Sequence, residues 1–402
     1  MQILDPPNTS PSEQPDHPDS RPGRAAKLIA LGDGLAQIAA EQAPRHDRDN
    51  TFPFDTFGAL REAGVLALTL PESHGGAAAS PMEVMLVLER IARGNGSVAL
   101  GASMHLASIA GLAAAHPLPR ATIDRLFREV NRDGVLVNGL ASEPELGSPS
   151  RGGGFRTTAH RVPGGWEING RKTWSTLAPA LSYANVLLTI RERDGSESRG
   201  SILVPMPSDG IRIEDTWDNL GMRATSSHDV VFERVVVPES ARLPAPSGPP
   251  ASQVTGWNLL TSAVYLGIAE AARDFTVQFA RDRVPSGLGK PIAELPNVQQ
   301  KVAQIEVLLL QARSVLYNTI EAWERSPEQR ADLGWQFAAA KHIVTNHAID
   351  VTDLALRVVG SVGLQRRHPL ERYFRDVRAG LGNPPMDDVA LTLIGKHALG
   401  VA

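Results

Sequence analysis

The sequence contains no cysteine, and its two charge signs nearly balance. Without thiols the chain cannot form disulfides or use cysteine as a nucleophile, a zinc ligand or an iron–sulfur ligand. The 40 basic and 44 acidic residues give a formal net charge of −4 without a long run of either sign, so no nucleic-acid or anionic-membrane partner is implied. We therefore expect small-molecule partners and copies of the chain itself. A reducing compartment is compatible with this composition, and we expect a cytoplasmic protein.

Long hydrophobic runs are also scarce. One uncharged run, residues 98–115, is long enough for a membrane span, but it contains serines, a histidine and several glycines and alanines. We interpret it as a buried helix of a soluble protein. The N-terminal residues 1–24 are rich in Pro, Ser and Asp and lack an apolar core, so they predict a disordered tail rather than a signal peptide.

The order of local patterns predicts an α+β multidomain fold. Residues 25–132 have helical periodicity and predict an N-terminal helical domain. Residues 133–243 change to short apolar runs separated by turn signals, which predict a compact antiparallel β-barrel or sandwich. A Pro-rich linker at 244–252 precedes residues 253–402, whose apolar spacing predicts a bundle of three long helices and a shorter one. Because strands and helices do not alternate, a doubly wound nucleotide-binding sheet is not expected.

The histidines do not predict a metal site. A helical metal site needs two histidines on one face together with a further ligand such as a carboxylate. His342 and His347 are five residues apart and face different sides of a helix. We therefore expect no catalytic metal.

Residues 139–148 and 169–176 form the most informative part of the sequence. Both segments are small and polar, and they predict an element that holds a flat, redox-active ring. In the Lys-Thr-Trp-Ser-Thr run, a strand would turn Trp174 and Thr176 to the same face, giving an apolar plate beside a hydroxyl donor. That pair would stack on a flavin and bond its polar edge. The alternative is that Trp174 is an ordinary core aromatic residue.

Six segments occur in an order that resembles the acyl-CoA dehydrogenase family. They are residues 70–76, 88–93, 139–148, 169–176, 220–226 with 235–238, and 372–376. The resemblance spans about residues 50–400. It implies an N-terminal helical domain, a central antiparallel β-barrel and a C-terminal four-helix bundle, with FAD between barrel and bundle. It also implies a homo-oligomer, either a dimer or a tetramer.

The resemblance assigns cofactor-binding roles by position in the central region. These residues are Leu140, Ala141, Ser142, Trp174, Ser175 and Thr176. The first three would line the flavin ring and its polar edge. Trp174 would lie against the face of the ring, with Thr176 near N5 and Ser175 between them.

Further positions are assigned in the same way. Ser148 would lie near the pantetheine or pyrophosphate end of an acyl-CoA. Arg283 resembles the residue that reaches the FAD pyrophosphate of a neighbouring subunit, where a guanidinium gives paired, charge-assisted bonds. Val359, Gly360 and Ser361 resemble a Gly-rich turn that lets backbone approach the adenosine portion of the cofactor. A helix–helix turn without a ligand is the alternative for those three residues.

The chain departs from the family at the catalytic base. Dehydrogenation of an acyl thioester needs a base to remove the α proton while hydride leaves the β carbon for flavin N5, and the family uses a glutamate. Alignment on 375–376 without a gap places Pro384 at that position. A second location that some relatives use holds Trp257. Neither side chain accepts a proton.

Three functions remain open from the sequence. In the first, Asp387 or Asp388 is the base of an acyl-thioester dehydrogenase in fatty acid metabolism, with electron-transfer flavoprotein as its electron acceptor. The same two aspartates would also serve simply to stabilise a helix N-terminus. The dehydrogenase pattern of Ser148 and residues 220–226 favours this function slightly.

In the second function, the fold is a flavin-dependent monooxygenase, which needs no α-proton base. It would use oxygen and reduced FAD or FMN, with a flavin reductase as partner. His105 would face the flavin, where a neutral imidazole would act as a hydrogen-bond partner in oxygen chemistry. In the third function, the chain binds flavin or acyl groups without turnover, which the retained Ser142, Trp174 and Thr176 disfavour.

Overall fold

Helices occupy both ends of the chain, and strands occupy its middle. The computed structural model describes residues 21–115, 118–146, 154–244 and 255–401. The first helices are α1 (Arg21–Asp49), α2 (Phe54–Glu62), α3 (Pro81–Gly94), α4 (Gly96–Ala115) and α5 (Arg120–Asp133). The strands are β1 (Leu136–Leu140), β2 (Thr158–Val162), β3 (Gly165–Lys172), β4 (Leu181–Arg191), β5 (Glu197–Pro205), β6 (Ile211–Glu214), β7 (Asp229–Pro238) and β8 (Arg242–Leu243). The last helices are α6 (Leu260–Asp282), α7 (Pro296–Arg325), α8 (Gly334–Val359), α9 (Leu370–Asp376) and α10 (Asp387–Leu399). The predicted mixed α+β order is confirmed.

The N-terminal helices form where apolar residues recur at helical spacing. The buried residues of α5 are Ile123, Leu126, Phe127 and Val130, which lie three and four positions apart on one face. Helix α1 begins at Arg21, so the predicted disordered tail is wrong for residues 21–24. Residues 1–20 lie outside the described residues, as do most of those in the predicted linker at 244–252.

Helix α4 contains the long uncharged run. By length and composition alone it would suit a membrane, but 61% of its most apolar window is buried inside the fold. Asn95 caps the helix, because its side-chain oxygen accepts hydrogen bonds from the backbone N–H groups of Ser97 (3.0 Å) and Val98 (3.4 Å). The predicted buried helix is confirmed.

The strands form one open, mixed sheet. Its order is β6-β7-β3-β2-β4-β5-β8, and β1 pairs with β4 beside that path. Strand β1 runs parallel to the first part of β4, and β2 runs parallel to its end. Because β6 and β8 are open edges, the predicted closed antiparallel barrel is wrong. Turn signals indicate hairpins between neighbouring strands, but they carry no information on a parallel pair separated by two other strands.

The C-terminal helices pack on one another and on the N-terminal helices. Helices α6, α7 and α8 are in mutual contact, and α10 contacts α8. The predicted helical C-terminal region is confirmed, whereas its closure into a four-helix bundle stays a prediction. Helix α3 packs closely on α6, where a Cβ atom on Gly267 would collide with the carbonyl oxygen of Glu89. This close approach makes one core of the two helical regions.

A buried charge cluster reinforces the contact between α3, α6 and α7. The guanidinium of Arg313 donates to Glu89 at 2.6 Å and to Glu270, and the hydroxyl of Tyr317 donates to Glu89 at 2.6 Å. Glu89 is 1% exposed. Burial, and then the nearby Glu270, raise the pKa of Glu89 above its ordinary value. The positive charge of Arg313 therefore offsets the repulsion between the two buried carboxylates of Glu89 and Glu270.

We predict that Arg313→Met lowers the free energy of unfolding by about 3 kcal/mol, because both glutamates would then lack their shared cation. Urea denaturation at pH 7 measures this loss. Arg325→Met is the control, since Arg325 pairs with the exposed Glu321 and such surface pairs contribute about 0.5 kcal/mol. Equal losses for the two variants would contradict the prediction.

Candidate active site

Three chain segments next to the strands are joined by hydrogen bonds. They are residues 141–146 after β1, residues 173–177 after β3, and residues 217–228 before β7. The joining backbone bonds run from Thr173 N to Ser142 O (3.0 Å), from Ser175 N to His228 O (3.2 Å) and from Leu177 N to Thr225 O (3.0 Å). The 173–177 segment is thus fixed on both sides.

The same segments hold the backbone in unfavourable conformations. Four of their residues other than glycine have positive φ: Trp174 (56°), Leu177 (72°), Met222 (53°) and Ser226 (45°). Each such residue costs about 1–3 kcal/mol and persists only where the surroundings impose it. Strain of this kind clusters at functional sites. The cluster of strained residues makes these loops a candidate ligand-binding site.

Trp174 is the exposed centre of this region. Strand β3 ends at Lys172, so the prediction that Trp174 lies on a strand is wrong. The core alternative is also wrong, since Trp174 is 59% exposed. Its ring contacts that of Trp217 edge-on, with 5.2 Å between ring centroids. Trp217 is buried and donates its indole N–H to the carbonyl oxygens of Met222 and Arg223, so it is a fixed support for Trp174.

Two hydroxyl groups follow Trp174. Thr176 is half-buried, and its Oγ1 lies 2.9 Å from Oγ of Ser227. The backbone oxygen of Thr176 accepts a bond from Asn138 Nδ2 at 2.9 Å. Ser175 is 1% exposed, and its Oγ has no partner among the described residues. Trp174 and Thr176 therefore lie on a strained loop and not on a strand, and their common role at a ligand site stays a prediction.

A buried ion pair lies under the loop that follows β1. Lys172 Nζ is 2.7 Å from Glu143 Oε1, and the two side chains are 0% and 1% exposed. Burial lowers the pKa of Lys172 to about 8. Burial opposes ionisation of Glu143, but hydrogen bonds from Lys172 and from backbone N–H groups of Arg156 and Thr157 hold its pKa below the ordinary value. The pair fixes the 141–146 segment to the end of β3.

The other predicted flavin-lining residues differ in exposure. Ala141 and Ser142 are half-buried beside the 173–177 segment. Leu140 is 1% exposed and belongs to the hydrophobic core, so its side chain does not face an open site. Ser148 lies outside the described residues. Ser142 therefore remains the residue of this group that is best placed to meet a ligand.

The prediction that His105 faces a flavin is wrong. His105 is 0% exposed, and both ring nitrogens have protein partners. Nε2 lies 2.9 Å from the carbonyl oxygen of Leu66, and Nδ1 accepts the backbone N–H of Val137 at 3.0 Å. Because one nitrogen must donate and the other accept, the imidazole is neutral. Burial lowers its pKa to about 4, so it ties α4 to β1 rather than serving a ligand.

The two aspartates predicted as bases lie at the start of α10. Asp387 accepts hydrogen bonds from His342 Nδ1 at 3.0 Å and from Asn346 Nδ2 at 3.1 Å. Partial burial opposes its ionisation, but these bonds hold the pKa of Asp387 below its ordinary value. Asp388 is exposed in the first turn of the helix. Asp387 therefore has the environment of a structural carboxylate.

The predicted residues for the adenosine end of the cofactor lie at the ends of two helices. Arg283 follows α6 and is exposed, and its guanidinium has no hydrogen-bond or ion-pair partner in the described part of the chain. Gly360 follows α8 with φ of 71°, and Ser361 beside it is exposed, whereas Val359 is 6% exposed. No hydrogen bond or ion pair joins them to the 173–177 segment across the described residues.

Three domain models of the acyl-CoA dehydrogenase family match the chain. They are the N-terminal domain (32–116), the middle domain (139–235) and the C-terminal domain (259–382). The chain belongs to the acyl-CoA dehydrogenase family.

No group of three His, Asp or Glu side chains that would suit a metal ion is found in the part of the chain that the structure describes.

Relatives of this chain differ in the reaction their names describe. YdbM of Bacillus subtilis (strain 168), which carries the provisional name acyl-CoA dehydrogenase, is 40% identical over 372 residues, 92% of this chain and 95% of YdbM. The amino sugar nitrososynthase RubN8 of Streptomyces rubradiris is 31% identical over 371 residues, 88% of this chain and 84% of RubN8. The X-ray structure of KijD3 with FMN and a dTDP-linked amino sugar is similar with a TM-score of 0.85 and 27% identity, covering 96% of each chain.

We predict that Lys172→Met lowers the free energy of unfolding at pH 7 by about 3–5 kcal/mol, because Glu143 would remain as an uncompensated buried charge. The loss relative to the parent should shrink as the pH falls, since protonation of Glu143 removes that charge. Denaturant titrations at several pH values measure it. Arg191→Met, which breaks an exposed pair with Glu197, is the control. Parent-like stability of Lys172→Met at pH 7 would count against the account of the pair.

We also predict that His105 makes stability depend on pH. In the unfolded chain its imidazole binds a proton below about pH 6.5, whereas the folded chain resists protonation until about pH 4. Unfolded chains therefore bind more protons, and stability falls as the pH is lowered through this window. His105→Gln keeps a donor and an acceptor without a titrating group. Between pH 7 and pH 4 the parent should lose about 3 kcal/mol more than this variant; parallel curves would contradict the assignment.

Proposed function

We propose that this chain binds a flavin against Trp174 and works as a flavin-dependent monooxygenase on a small organic substrate. The observation that carries the proposal concerns two described positions at which the base of a dehydrogenase is expected. Position 384 is proline, and Asp387 is bonded to His342 and Asn346. An acyl-thioester dehydrogenase needs a base whose lone pair meets the α proton, whereas oxygen transfer does not.

The residues around Trp174 fit a flavin. The exposed indole supplies a flat apolar face for the ring system. The half-buried Ser142 and Thr176 would supply hydroxyls for the polar edge, and Ser175 Oγ is a buried hydroxyl without a partner among the described residues. In the proposed arrangement Thr176 lies near N5 and Ser142 lies at the polar edge. KijD3, whose structure is similar along nearly the whole chain, binds FMN.

The relatives support oxygen chemistry on this scaffold. A nitrososynthase, by its name, places oxygen on the nitrogen of an amino sugar, and RubN8 is 31% identical to this chain. A bound reduced flavin would supply the two electrons that reduce one atom of O₂ to water while the other atom enters the substrate. The chain itself would orient the ring through Trp174 and keep the 141–146 segment in place through the Lys172–Glu143 pair.

Partners follow from this proposal. A monooxygenase of this kind needs a separate flavin reductase to supply reduced FMN or FAD. We also propose a homo-oligomer, because a cleft of about 600 Å³ between α7 and α8 exposes apolar side chains. Val307 in this cleft is 54% exposed, and its neighbour Leu310 is 66% exposed. Arg283 and residues 359–361 would then contact the FAD of a neighbouring subunit if FAD is the cofactor.

A second candidate is the acyl-thioester dehydrogenase that the sequence favours slightly. Its support is the 40% identity to YdbM, which bears that name. In this case Asp387 or Asp388 would have to serve as the base, with electron-transfer flavoprotein as the electron acceptor and fatty acid metabolism as the setting. Asp387 would first have to leave His342 and Asn346.

We predict that reduced FMN or FAD, added to the protein in air, oxygenates at least one member of a probe panel of amines, thioethers and indoles. Substrate should lower hydrogen peroxide release as product forms, and an oxygen electrode with product analysis measures both. Trp174→Ala should weaken flavin binding by about tenfold, because the ring loses its stacking face. Trp335→Ala is the control, since the ring of Trp335 stacks on that of His397, where α8 meets α10.

Anaerobic mixing of the flavin-loaded protein with an acyl-CoA panel separates the two candidates. The monooxygenase proposal predicts no bleaching of the flavin. Bleaching by any acyl-CoA that is lost in Asp387→Asn would overturn it in favour of the dehydrogenase.

A further inference from the structure

Three hydroxyl groups form a continuous chain behind Trp174. Thr225 Oγ1 donates to the backbone oxygen of Met222 at 2.8 Å. Ser227 Oγ lies 2.8 Å from Thr225 Oγ1 and 2.9 Å from Thr176 Oγ1. Thr225 and Ser227 are 1% and 4% exposed, whereas Thr176 is half-buried. This series of hydroxyls therefore runs from the carbonyl oxygen of Met222 to the half-buried Thr176.

Each hydroxyl group has a single proton, and this fixes which group donates and which accepts in each hydrogen bond of the series. A hydroxyl group has one proton to donate, and the Thr225 proton is used at Met222 O because a carbonyl only accepts. Ser227 must then donate to Thr225. Its own proton is used in that bond, so Thr176 must donate to Ser227. The lone pairs of Thr176 Oγ1 are what remains for a ligand.

The surrounding structure holds this direction in place. The backbone of Thr225 bonds to Met222 O and to Leu177 N, which keeps the Thr225 hydroxyl within reach of the Met222 carbonyl. Ser226, between the two buried hydroxyl residues, is held at φ of 45°. Reversing the direction of these hydrogen bonds would cost Thr225 its bond to Met222 O, and the burial of Thr225 and Ser227 leaves no access for water to replace it.

We propose that the Thr225–Ser227–Thr176 chain fixes Thr176 as a hydrogen-bond acceptor and so makes the site bind reduced flavin more tightly than oxidised flavin. This inference rests on the proposed flavin site with Thr176 beside N5. In oxidised flavin N5 carries a lone pair, which meets the lone pairs of Thr176 unfavourably. In reduced flavin N5 carries a hydrogen, which Thr176 accepts. Thr225 and Ser227 are thus positioning residues that act through Thr176.

The preference suits the proposed function. A monooxygenase that receives reduced flavin from a separate reductase gains from binding the reduced form and releasing the oxidised form. The site would then select the cofactor by its redox state, and it would do so with neutral hydroxyls alone.

The test measures the dissociation constants of reduced and oxidised FMN anaerobically, together with the potential of bound FMN against a redox dye. Ser227→Ala frees the Thr176 proton, which then serves oxidised N5. The ratio of the oxidised to the reduced dissociation constant should fall about fivefold, the size expected of one hydrogen bond. At about 30 mV for each tenfold change, the potential should fall by about 20 mV.

A second variant guards against a local folding defect. Thr225→Val removes the acceptor of the Ser227 proton, so Ser227 turns to Thr176 and the same shift is expected. Ser103→Ala and Thr276→Val are matched controls, because both hydroxyls are buried and donate only within their own helices, to Leu100 O and Ala272 O. The controls should leave the ratio unchanged.

The double variant Thr176→Val/Ser227→Ala shows whether the chain acts through Thr176. On the Thr176→Val background, Ser227→Ala should produce no further shift. A persistent shift would overturn the inference, and so would unchanged ratios in Ser227→Ala and Thr225→Val that still bind FMN. Failure of the parent protein to bind either form of flavin would instead overturn the proposed function itself.

Discussion

The buried pair between Lys172 and Glu143 is the interaction on which the rest of the site depends. It joins the end of β3 to the loop after β1 where water cannot reach either charge. Such a pair contributes little net stability, but it penalises any arrangement that separates the partners. The two segments that carry Ser142 and Trp174 therefore leave the sheet side by side. The exposed indole and the adjacent hydroxyls are consequences of that anchoring.

The strain around Trp174 complements this anchor. Four residues with positive φ would relax in isolated loops, and here the bonds between the 173–177 and 217–228 segments prevent it. Trp217 supports the indole from the buried side. A site built this way is rigid before a ligand arrives, so little binding energy is lost in ordering it. The same rigidity gives the hydroxyl chain of Thr225, Ser227 and Thr176 a defined direction.

Position 384, where the alignment places the base of a dehydrogenase, is proline in this chain. Asp388 is exposed in the first turn of α10, and the other two residues that the sequence offers for catalysis, His105 and Asp387, have partners that use their hydrogen-bonding groups. Each has become part of the framework: His105 joins α4 to β1, and Asp387 joins α10 to α8. The polar groups that stay available at the site are hydroxyls, which suits a reaction in which the protein orients a flavin and does not remove a carbon-bound proton.

The sequence predicts the helical regions and the buried helix α4, because these depend on periodicity and on residues close in the chain. It misses what depends on distant partners. The parallel pairing of β1 with β4 turns an expected barrel into an open sheet. The residues next to His105 in the sequence do not indicate its hydrogen bonds to Leu66 and Val137. The residues next to Thr176 likewise do not indicate its hydrogen bond to Ser227. The positive φ of Trp174 could not be predicted from the sequence either, because tryptophan rarely adopts that conformation.

A crystal structure of the protein grown with FMN would show directly whether a flavin binds against Trp174. We predict that the isoalloxazine ring will lie against the indole of Trp174, with N5 within hydrogen-bond distance of Thr176 Oγ1. Flavin bound elsewhere, with the indole still open to solvent, would contradict it.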